Sequence, residues 1–448
     1  MAKKNALRAA QAVANRLTQM RRHWEDAAQN YFSPKEFILA VQSCITVSRT
    51  VTFILQSNKA EFEGFEEWYS GYRSRWSNDG VMLWARDARN KIEKQGDLAT
   101  ASQLRLEIVA SYLGGPETDW LRAPIFSAPR DILNHIPKNY LTKHVIENGT
   151  LLIERRWVDV ELPAIELLEA LHRVYLNLSE MLNDLCNYAG IPLLLSRNEI
   201  DPHTMSELAM DRAIYVSLLD GTLRGHRIQT MRLPRSEKVL RSLEKRYRKI
   251  DWQKRLGASS SVHEIANVFF EQGKLMMLRD GYHLNFAFFI KDANVINIIA
   301  NPKPDRASKY VMVRDLAKLA RIQGVDTVIM IGEAWTAFGD DIPKSGFAED
   351  AKNRGEALVM NVASNTGDVF SLSAAVNRSK IPFSKRITSL GETKSDSQFS
   401  FMMAPFLHQW GCLNKEQLAQ ALKQVDEMGI EIPGGHRLNK QAGIDDTP

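Results

Sequence analysis

Residues 33 to 96 carry three successive helix signals, and they constrain the fold more than any other stretch of this 448-residue chain. Ser33-Pro34-Lys35-Glu36 offers an N-cap, a proline at the first helical position and a glutamate at the third, the pattern of a capping box. The helix it opens should run to about Gln56, because Ile38, Val41, Ile45, Ser48, Thr52 and Leu55 recur at three- and four-residue spacing and give it one face to bury. Phe62, Phe65, Trp68 or Tyr69, Tyr72 and Trp76 recur in the same way, a stripe that reads as core rather than as a base-stacking surface. A third helix starts near Asn78-Asp79 and stops at Gly96, whose access to positive φ suits a helix C-terminus. With residues 5 to 30 also helical, a four-helix arrangement is expected.

Beyond Gly96 the periodicity is mixed. Alternation at Leu104, Leu106, Ile108 and Ala110 reads as a strand, with a helix as the alternative. His144 to Glu147 and Thr150 to Trp157, joined by Asn148-Gly149, read as a hairpin on a type I′ turn, and Asp220-Gly221 marks a second. Between them a helix from about Pro163 to Ala189 buries Leu167, Leu168, Leu171, Val174, Leu178, Leu182 and Leu185, ending at Gly190-Ile191-Pro192. Gly257 to Ser261 reads as an interdomain linker. After it come a hairpin of His283 to Ile290 and Asn294 to Ala300 around Asp292-Ala293, a helix from about Val311 to Gln323, and a buried strand from Val325 to Ile331. Glu356 to Ser364 and Asp368 to Ala375 are two more strands around Thr366-Gly367. A helix begun by Asn414 turns Leu418, Leu422, Val425 and Met428 to one side, and the polar tail after Gly434 is expected to be disordered.

The expected class is therefore α+β, an N-terminal helical bundle with β-hairpin embellishments followed by a small mixed α/β domain. Its parts should be a helical bundle over residues 1–125 and a helical extension with hairpins and a basic connecting helix over 126–256. A small α/β domain over 257–410 and a terminal helix and tail over 411–448 complete it.

The net charge of +5, from 58 basic against 53 acidic side chains, makes no case for nucleic acid by itself. Local clustering does. Arg235 to Arg255 holds nine lysines and arginines against Glu237, Glu244 and Asp251. Within a helical pattern of Leu240, Leu243, Tyr247 and Ile250, the candidate phosphate contacts are Lys245, Arg246, Arg248 and Lys249, and the competing reading is a solvated connecting helix. Cys44, Cys186 and Cys412 are too scattered for a disulfide framework or zinc knuckle and read as small buried hydrophobes. No apolar run reaches the roughly 18 residues of a membrane span, and Met1 to Asn5 lacks the apolar stretch of a secretory signal. A cytoplasmic location without membrane association is expected. No glycine-rich phosphate loop, His-x-x-x-His, Cys-x-x-Cys or serine-nucleophile motif occurs, so neither a cofactor nor a metal is expected.

The helix with Val51-Thr52-Phe53, the aromatic helix with Phe65-Glu66-Glu67-Trp68-Tyr69, and Trp84 leading into Ala88-Arg89-Asn90 follow one another in an order that resembles the HEPN superfamily. These are four-helix bundles found in RNases, toxins and antiphage effectors. The resemblance implies an Arg-x4-6-His site in a cleft between two protomers, hence a dimer or higher homo-oligomer. It also implies metal-independent endoribonuclease chemistry, in which a ribose 2′-hydroxyl attacks the adjacent phosphate. By position Arg89 would hold the scissile phosphate and Asn90 would orient by hydrogen bonding, while Lys94 stands where active members have histidine. An ordinary lysine, with a pKa of about 10.4, keeps its proton at neutral pH. Lys94 acts as a base only if burial or neighbouring cations lower that value; otherwise it neutralises phosphate. On an ideal helix Val81, Trp84, Ala85, Ala88 and Ile92 form the buried stripe, Arg89 lies beside it, and Lys94 falls well around the helix. A structural reading instead pairs Arg89 with Glu93 and leaves Lys94 at the negative end of the helix dipole.

Farther on, Gly332-Glu333-Ala334-Trp335 follows the apolar strand, with Asp340, Asp341, Asp350, Arg354 and Glu356 after it. This part resembles an uncharacterised bacterial α/β domain with a Glu-Ala-Trp turn ahead of an Asp-x-x-x-Arg-x-Glu stretch, here Asp350 to Glu356. Glu333, Trp335, Arg354 and Glu356 are the candidate ligand-binding residues. The two glutamates suit a metal or a cationic ligand, and the alternative is a structural Glu333 beside a packed Trp335. The leading expectation is a HEPN-like bacterial effector, toxin or defence protein acting on RNA, with a C-terminal sensor domain or a domain that binds a protein partner. The competing expectation is a non-catalytic binding or scaffold protein with a degenerate bundle.

Overall fold

The computed structural model describes residues 2–116, 126–194, 212–224, 245–247, 255–257, 259, 261–300, 305–379 and 386–438, and the fold is α+β. The chain forms two compact units, each discontinuous in sequence. Met1–Leu106, Asp119–Ile136 and Leu152–Ile214 make one; Glu107–Thr118, Pro137–Leu151 and Tyr215–Pro448 make the other.

The first unit is a helical bundle of α1 (Ala2–Gln29), α2 (Pro34–Ser57), α4 (Gly80–Lys94) and α7 (Leu167–Tyr188), with α3 (Phe65–Trp76) packed on α4. Buried Ala6, Ala9, Ala10 and Ala14 let α1 lie close to its neighbours, while Leu17, Met20 and Trp24 fill the core. On α2 the spaced residues Val41, Ile45, Ser48, Thr52 and Leu55 are buried, joined by Phe37, Cys44 and Val51. Ser48 is tolerated there because its hydroxyl donates to the Ile45 carbonyl at 2.7 Å.

Ser33 and Pro34 do start α2, but the expected capping box does not form, since the Ser33 side chain makes no cap bond. Its backbone N–H, which Glu36 would have reached, already donates to the Asn30 carbonyl at 2.8 Å. By length and composition α2 is apolar enough to cross a membrane, with a mean hydropathy of 1.6 over 18 residues, although no unbroken apolar run is that long. In the fold its apolar face lies in the bundle core.

The aromatic stripe is core, with Phe62, Phe65, Tyr69 and Trp76 buried and Trp68 and Tyr72 partly so. All seven α7 positions expected to be buried are buried. That helix begins at Leu167 rather than Pro163 because Arg156 holds the Pro163 and Ala164 carbonyls, at 3.3 and 2.7 Å, outside the helical ladder.

Strands β1 (Thr100–Val109), β2 (Thr150–Asp159), β3 (Ala213–Ser217) and β4 (Leu223–Arg224) form a sheet in that order, so Leu104, Leu106 and Ile108 lie in a strand and Ala110 just beyond its end. The hairpin expected at Asn148-Gly149 is absent. After the short α5 (Pro129–Leu133), residues Lys143–Asn148 form helix α6, and Gly149 sits at φ −100°, not the positive φ of a type I′ turn. Thr142 caps that helix by accepting from the Val145 N–H at 3.4 Å, a local bond that competes with strand formation. The second hairpin is present, with Gly221 at φ 68° between β3 and β4.

In the second unit the expected linker leads directly into a helix missed in the periodicity, α8 (Val262–Asp280), whose N-cap Ser261 accepts from the Glu264 N–H at 3.3 Å. A seven-stranded antiparallel sheet follows. It contains β5 (Phe286–Lys291), β6 (Asn294–Ala300), β7 (Thr327–Thr336), β8 (Gly355–Ser364), β9 (Val369–Arg378), β10 (Ile387–Leu390) and β11 (Lys394–Asp396). The strand order is β10-β9-β8-β7-β5-β6, with β11 also on β9. Ile265, Ala266, Phe270 and Met277 of α8 join Ile329, Ile331, Leu358 and Met360 in one core.

Helix α9 (Arg306–Ile322) packs against α10 (Ala404–Trp410), and α11 (Lys415–Glu427) opens with a complete capping box between Asn414 and Gln417. Leu418 and Val425 are buried there as expected, whereas Leu422 and Met428 are only half-buried and Ala421 takes a core position. The tail is not disordered where it first leaves Gly434. His436 and Leu438 are buried, and Arg437 reaches Glu107 at 2.9 Å. The rest of the tail, 439–448, lies outside the described residues.

Candidate functional site

Helices α2 and α4 pack side by side and present Arg49, Arg86 and Arg89 close together. Two of these guanidinium groups lie over one ring: Arg49 is 4.4 Å and Arg89 5.4 Å from the centroid of Phe53, which is 40% exposed. Arg89 also pairs with Glu93 at 2.5 Å and donates to the Asn90 side-chain oxygen at 3.2 Å. Lys94 is exposed at the end of α4 and is not drawn into this group. The fold thus brings Arg89 and Asn90 together and leaves Lys94 apart, as the helical angle between them requires. The geometry suits contact with a phosphate and a base ring. It supplies no proton acceptor from Lys94.

A cleft of about 310 Å³ opens beside this face. Arg49, Arg73 and Arg86 line it together with Tyr69 and Trp76, and Met82, Leu83, Val174 and Leu178 give it apolar walls. None of the described residues that line it is an aspartate or glutamate. Arg73 and Arg86 have carboxylate partners outside the lining, Glu66 at 3.7 Å and Asp87 at 2.8 Å. Arg49 bonds instead to the Thr52 hydroxyl at 3.1 Å, and its pKa is pushed down by burial and by the nearby Arg89 and Arg86 charges. The Tyr69 hydroxyl accepts from Gln56 at 3.1 Å, and burial raises its pKa. The Trp76 indole N–H is buried without a hydrogen-bond partner among the described residues.

The candidates in the second unit are placed differently from expectation. Gly332 to Trp335 is not a turn: β7 continues to Thr336, because Gly355 to Val359 of β8 extend the ladder opposite it. Gly332 is needed there, since a Cβ would lie 1.7 Å from the Asn285 side-chain oxygen. Glu333 accepts the backbone N–H of His283, while Glu356 pairs with Arg378 at 2.5 Å. Trp335 faces Glu356 across the strands and carries the Arg354 guanidinium 4.1 Å above its ring. Arg354 also donates to the Glu349 carbonyl. The two glutamates thus hold separate structural partners, and no metal-binding cluster of His, Cys, Asp or Glu occurs among the described residues.

Asp305 caps α9, and Arg306 pairs with Glu349 and Asp350. In the basic segment, Lys245 is exposed but Arg246 is tied to Asp280, while Arg248 and Lys249 lie outside the described residues.

The sequence profile of the family of bacteriophage lambda protein ea47 matches residues 5–424. The chain belongs to that family. Protein ea47 of Escherichia phage lambda is 29% identical over 313 residues, which cover 68% of this chain and 74% of that protein. No solved structure matches the chain. The profile spans both units, so the helical bundle and the antiparallel sheet belong together in the ea47 family.

Several residues of the site were not singled out in the sequence of this ea47-family chain. Arg49 and Phe53 fall on the half-exposed flank of α2, one helical turn apart, and that i, i+4 arginine-aromatic spacing was the available signal. Arg73 and Arg86 had no local signal and Trp76 was legible only as part of the aromatic stripe, because it takes the packing of four helices to bring them to one cleft.

Proposed function

We propose that the chain is a HEPN-like RNA-binding protein that acts in the cytoplasm and binds single-stranded RNA on the α2–α4 face without cutting it as a single chain. The observation that carries this reading is the exposed Phe53 ring flanked by Arg49 and Arg89. An accessible aromatic face stacks on a base while adjacent guanidinium groups neutralise the phosphates on either side. Binding is favoured over cleavage because Lys94, exposed at the end of α4, is not placed to act on a phosphate that Arg89 holds. The kinship with a protein of a bacterial virus favours a role in the contest between phage and host rather than in housekeeping RNA metabolism.

The test uses the full chain and a labelled single-stranded RNA with a 5′-hydroxyl end, followed by fluorescence anisotropy. Phe53→Ala should weaken binding by the roughly 1–3 kcal/mol of one stacked base. Arg89→Ala should weaken it and lower the salt slope by about one. If the native protein fails to bind at low salt, or both variants bind as well as it does, the reading is wrong. RNA cut by the native chain and spared by Arg89→Ala would replace it with the nuclease reading.

A further inference from the structure

The Arg49–Arg73–Arg86 cleft lies next to the α2–α4 face but has a different character. It is concave, about 310 Å³ in volume, and so at the lower end of the size range of small-ligand sites. Phe53 and Arg89 are not among its lining residues. We propose that this cleft is a binding site for a phosphate monoester carried on a flat, weakly polar group, such as a mononucleotide unit. The inference extends the RNA-binding reading, and rests on it only where the ligand is the terminal phosphate of a bound RNA rather than a free nucleotide.

Three independent features argue for an anion. Among the described residues the lining contains three arginines and no carboxylate. Arg49 is half-buried with no carboxylate paired to it among the described residues, and it lies near two more guanidinium groups. Bringing like charges together out of water is unfavourable, and a dianion entering the cleft reverses the sign of that interaction. The third feature is the Trp76 side chain, 9% exposed, which lines the cleft and whose indole N–H has no hydrogen-bond partner among the described residues. A buried donor left unpaired costs about 1–3 kcal/mol, and a ligand oxygen that reaches the indole recovers that cost. The Tyr69 hydroxyl accepts from Gln56, so its own proton remains available as a further donor.

The chemistry of the walls argues for a monoester on an organic group rather than a bare ion. Met82, Leu83, Val174 and Leu178 give the cleft an apolar surface that a free inorganic anion would leave unused. Arginine forks recognise phosphate oxygens in pairs, and a terminal phosphate offers three oxygens where a chain-internal phosphodiester offers two. The site therefore prefers an end to a middle.

Binding of adenosine 5′-monophosphate and of adenosine to the full chain, measured by calorimetry, tests this. The monophosphate should bind and adenosine should bind at least about tenfold more weakly, the loss expected when a charge-assisted hydrogen bond is removed. Arg49→Gln should weaken the monophosphate by about tenfold or more. Trp76→Phe, which keeps the ring and removes the donor, should weaken it by about fivefold and leave adenosine unchanged. Thermal unfolding of each variant checks that it folds.

A second arm compares RNA carrying a 5′-phosphate with the same RNA carrying a 5′-hydroxyl. A preference for the phosphate end that falls by about fivefold in Trp76→Phe identifies an RNA terminus as the source, and equal binding of the two RNAs with tight monophosphate binding identifies a free nucleotide. The proposal is overturned if the monophosphate does not bind, if adenosine binds equally well, or if folded Arg49→Gln and Trp76→Phe bind the monophosphate as the native chain does. Phe53→Ala should spare monophosphate binding while weakening 5′-hydroxyl RNA, so this site and the RNA-binding reading fail separately.

Discussion

Arg89 illustrates how far a single side chain can be interpreted. Its pairing with Glu93 follows from i, i+4 spacing and was legible in the sequence; its place over Phe53 was not, because that contact joins α4 to α2. The Arg89–Glu93 pair is partly exposed, so Arg89→Ala should cost less than about 1 kcal/mol of stability in chemical denaturation, separating any loss of RNA binding from unfolding. Lys94→His supplies the histidine that the resemblance to the HEPN superfamily implies at this position. It should still leave RNA uncut, because the position itself points away from Arg89 on the helix. Cleavage by Lys94→His in a gel assay would show that chemistry at this position, not geometry, is what is missing.

Among the elements, those with local signals were the most legible. The β5–β6 hairpin formed at Asp292-Ala293, with both residues at positive φ, 50° and 61°. The Asp292 N–H donates to the Asp326 carboxylate at 2.6 Å and fixes the turn, but Ala293 has no such support and remains in a region unfavourable to a Cβ. Ala293→Gly should raise stability by about 0.5–1 kcal/mol in urea unfolding, the relief at Ala293 exceeding the extra entropy of glycine in the unfolded chain. Asn148-Gly149 carried the same kind of turn signal and failed, because Thr142 capped a helix there first. A dipeptide permits a turn; the flanking segments decide whether it is used. Helix α8 was legible and was overlooked: buried Ala266, Phe270, Gly273 and Met277 recur at three- and four-residue spacing and share one face.

At the scale of the whole molecule, the second unit is closed by an ion-pair network joining residues more than three hundred positions apart in sequence. Glu107, 1% exposed, pairs with Arg314 at 2.7 Å and Arg437 at 2.9 Å. Burial alone would raise the Glu107 pKa, but the two arginines outweigh it and hold the carboxyl below the ordinary glutamate value of about 4.3. The sign follows from linkage: this contribution is present above the unfolded-state value and is lost as the pH falls through the lower folded-state value. Glu107→Gln leaves Arg314 buried without its counter-charge and should cost about 3–5 kcal/mol at neutral pH. The gap between native and variant should narrow in denaturation curves as the pH is lowered below about 4. A gap that stays constant into that range would mean that packing, not charge, accounts for the loss.

Taken alone, the sequence determined where most helices and hairpins lie, because three-four spacing, N-caps and turn glycines act within a few residues of one another. It also determined that Arg89 and Lys94 could not meet on one helix, since angular spacing is a local property. Only the tertiary structure decided which side chains share a site. Arg49, Phe53 and Arg89 meet because α2 packs on α4, and Trp76 and Arg86 enter one cleft because α3 and α4 pack together. Glu333 and Glu356, close in the strand register, are separated in role by His283 and Arg378 arriving from elsewhere. Such meetings depend on how buried faces fit, and that fit is set by all the packing residues together rather than by any one motif.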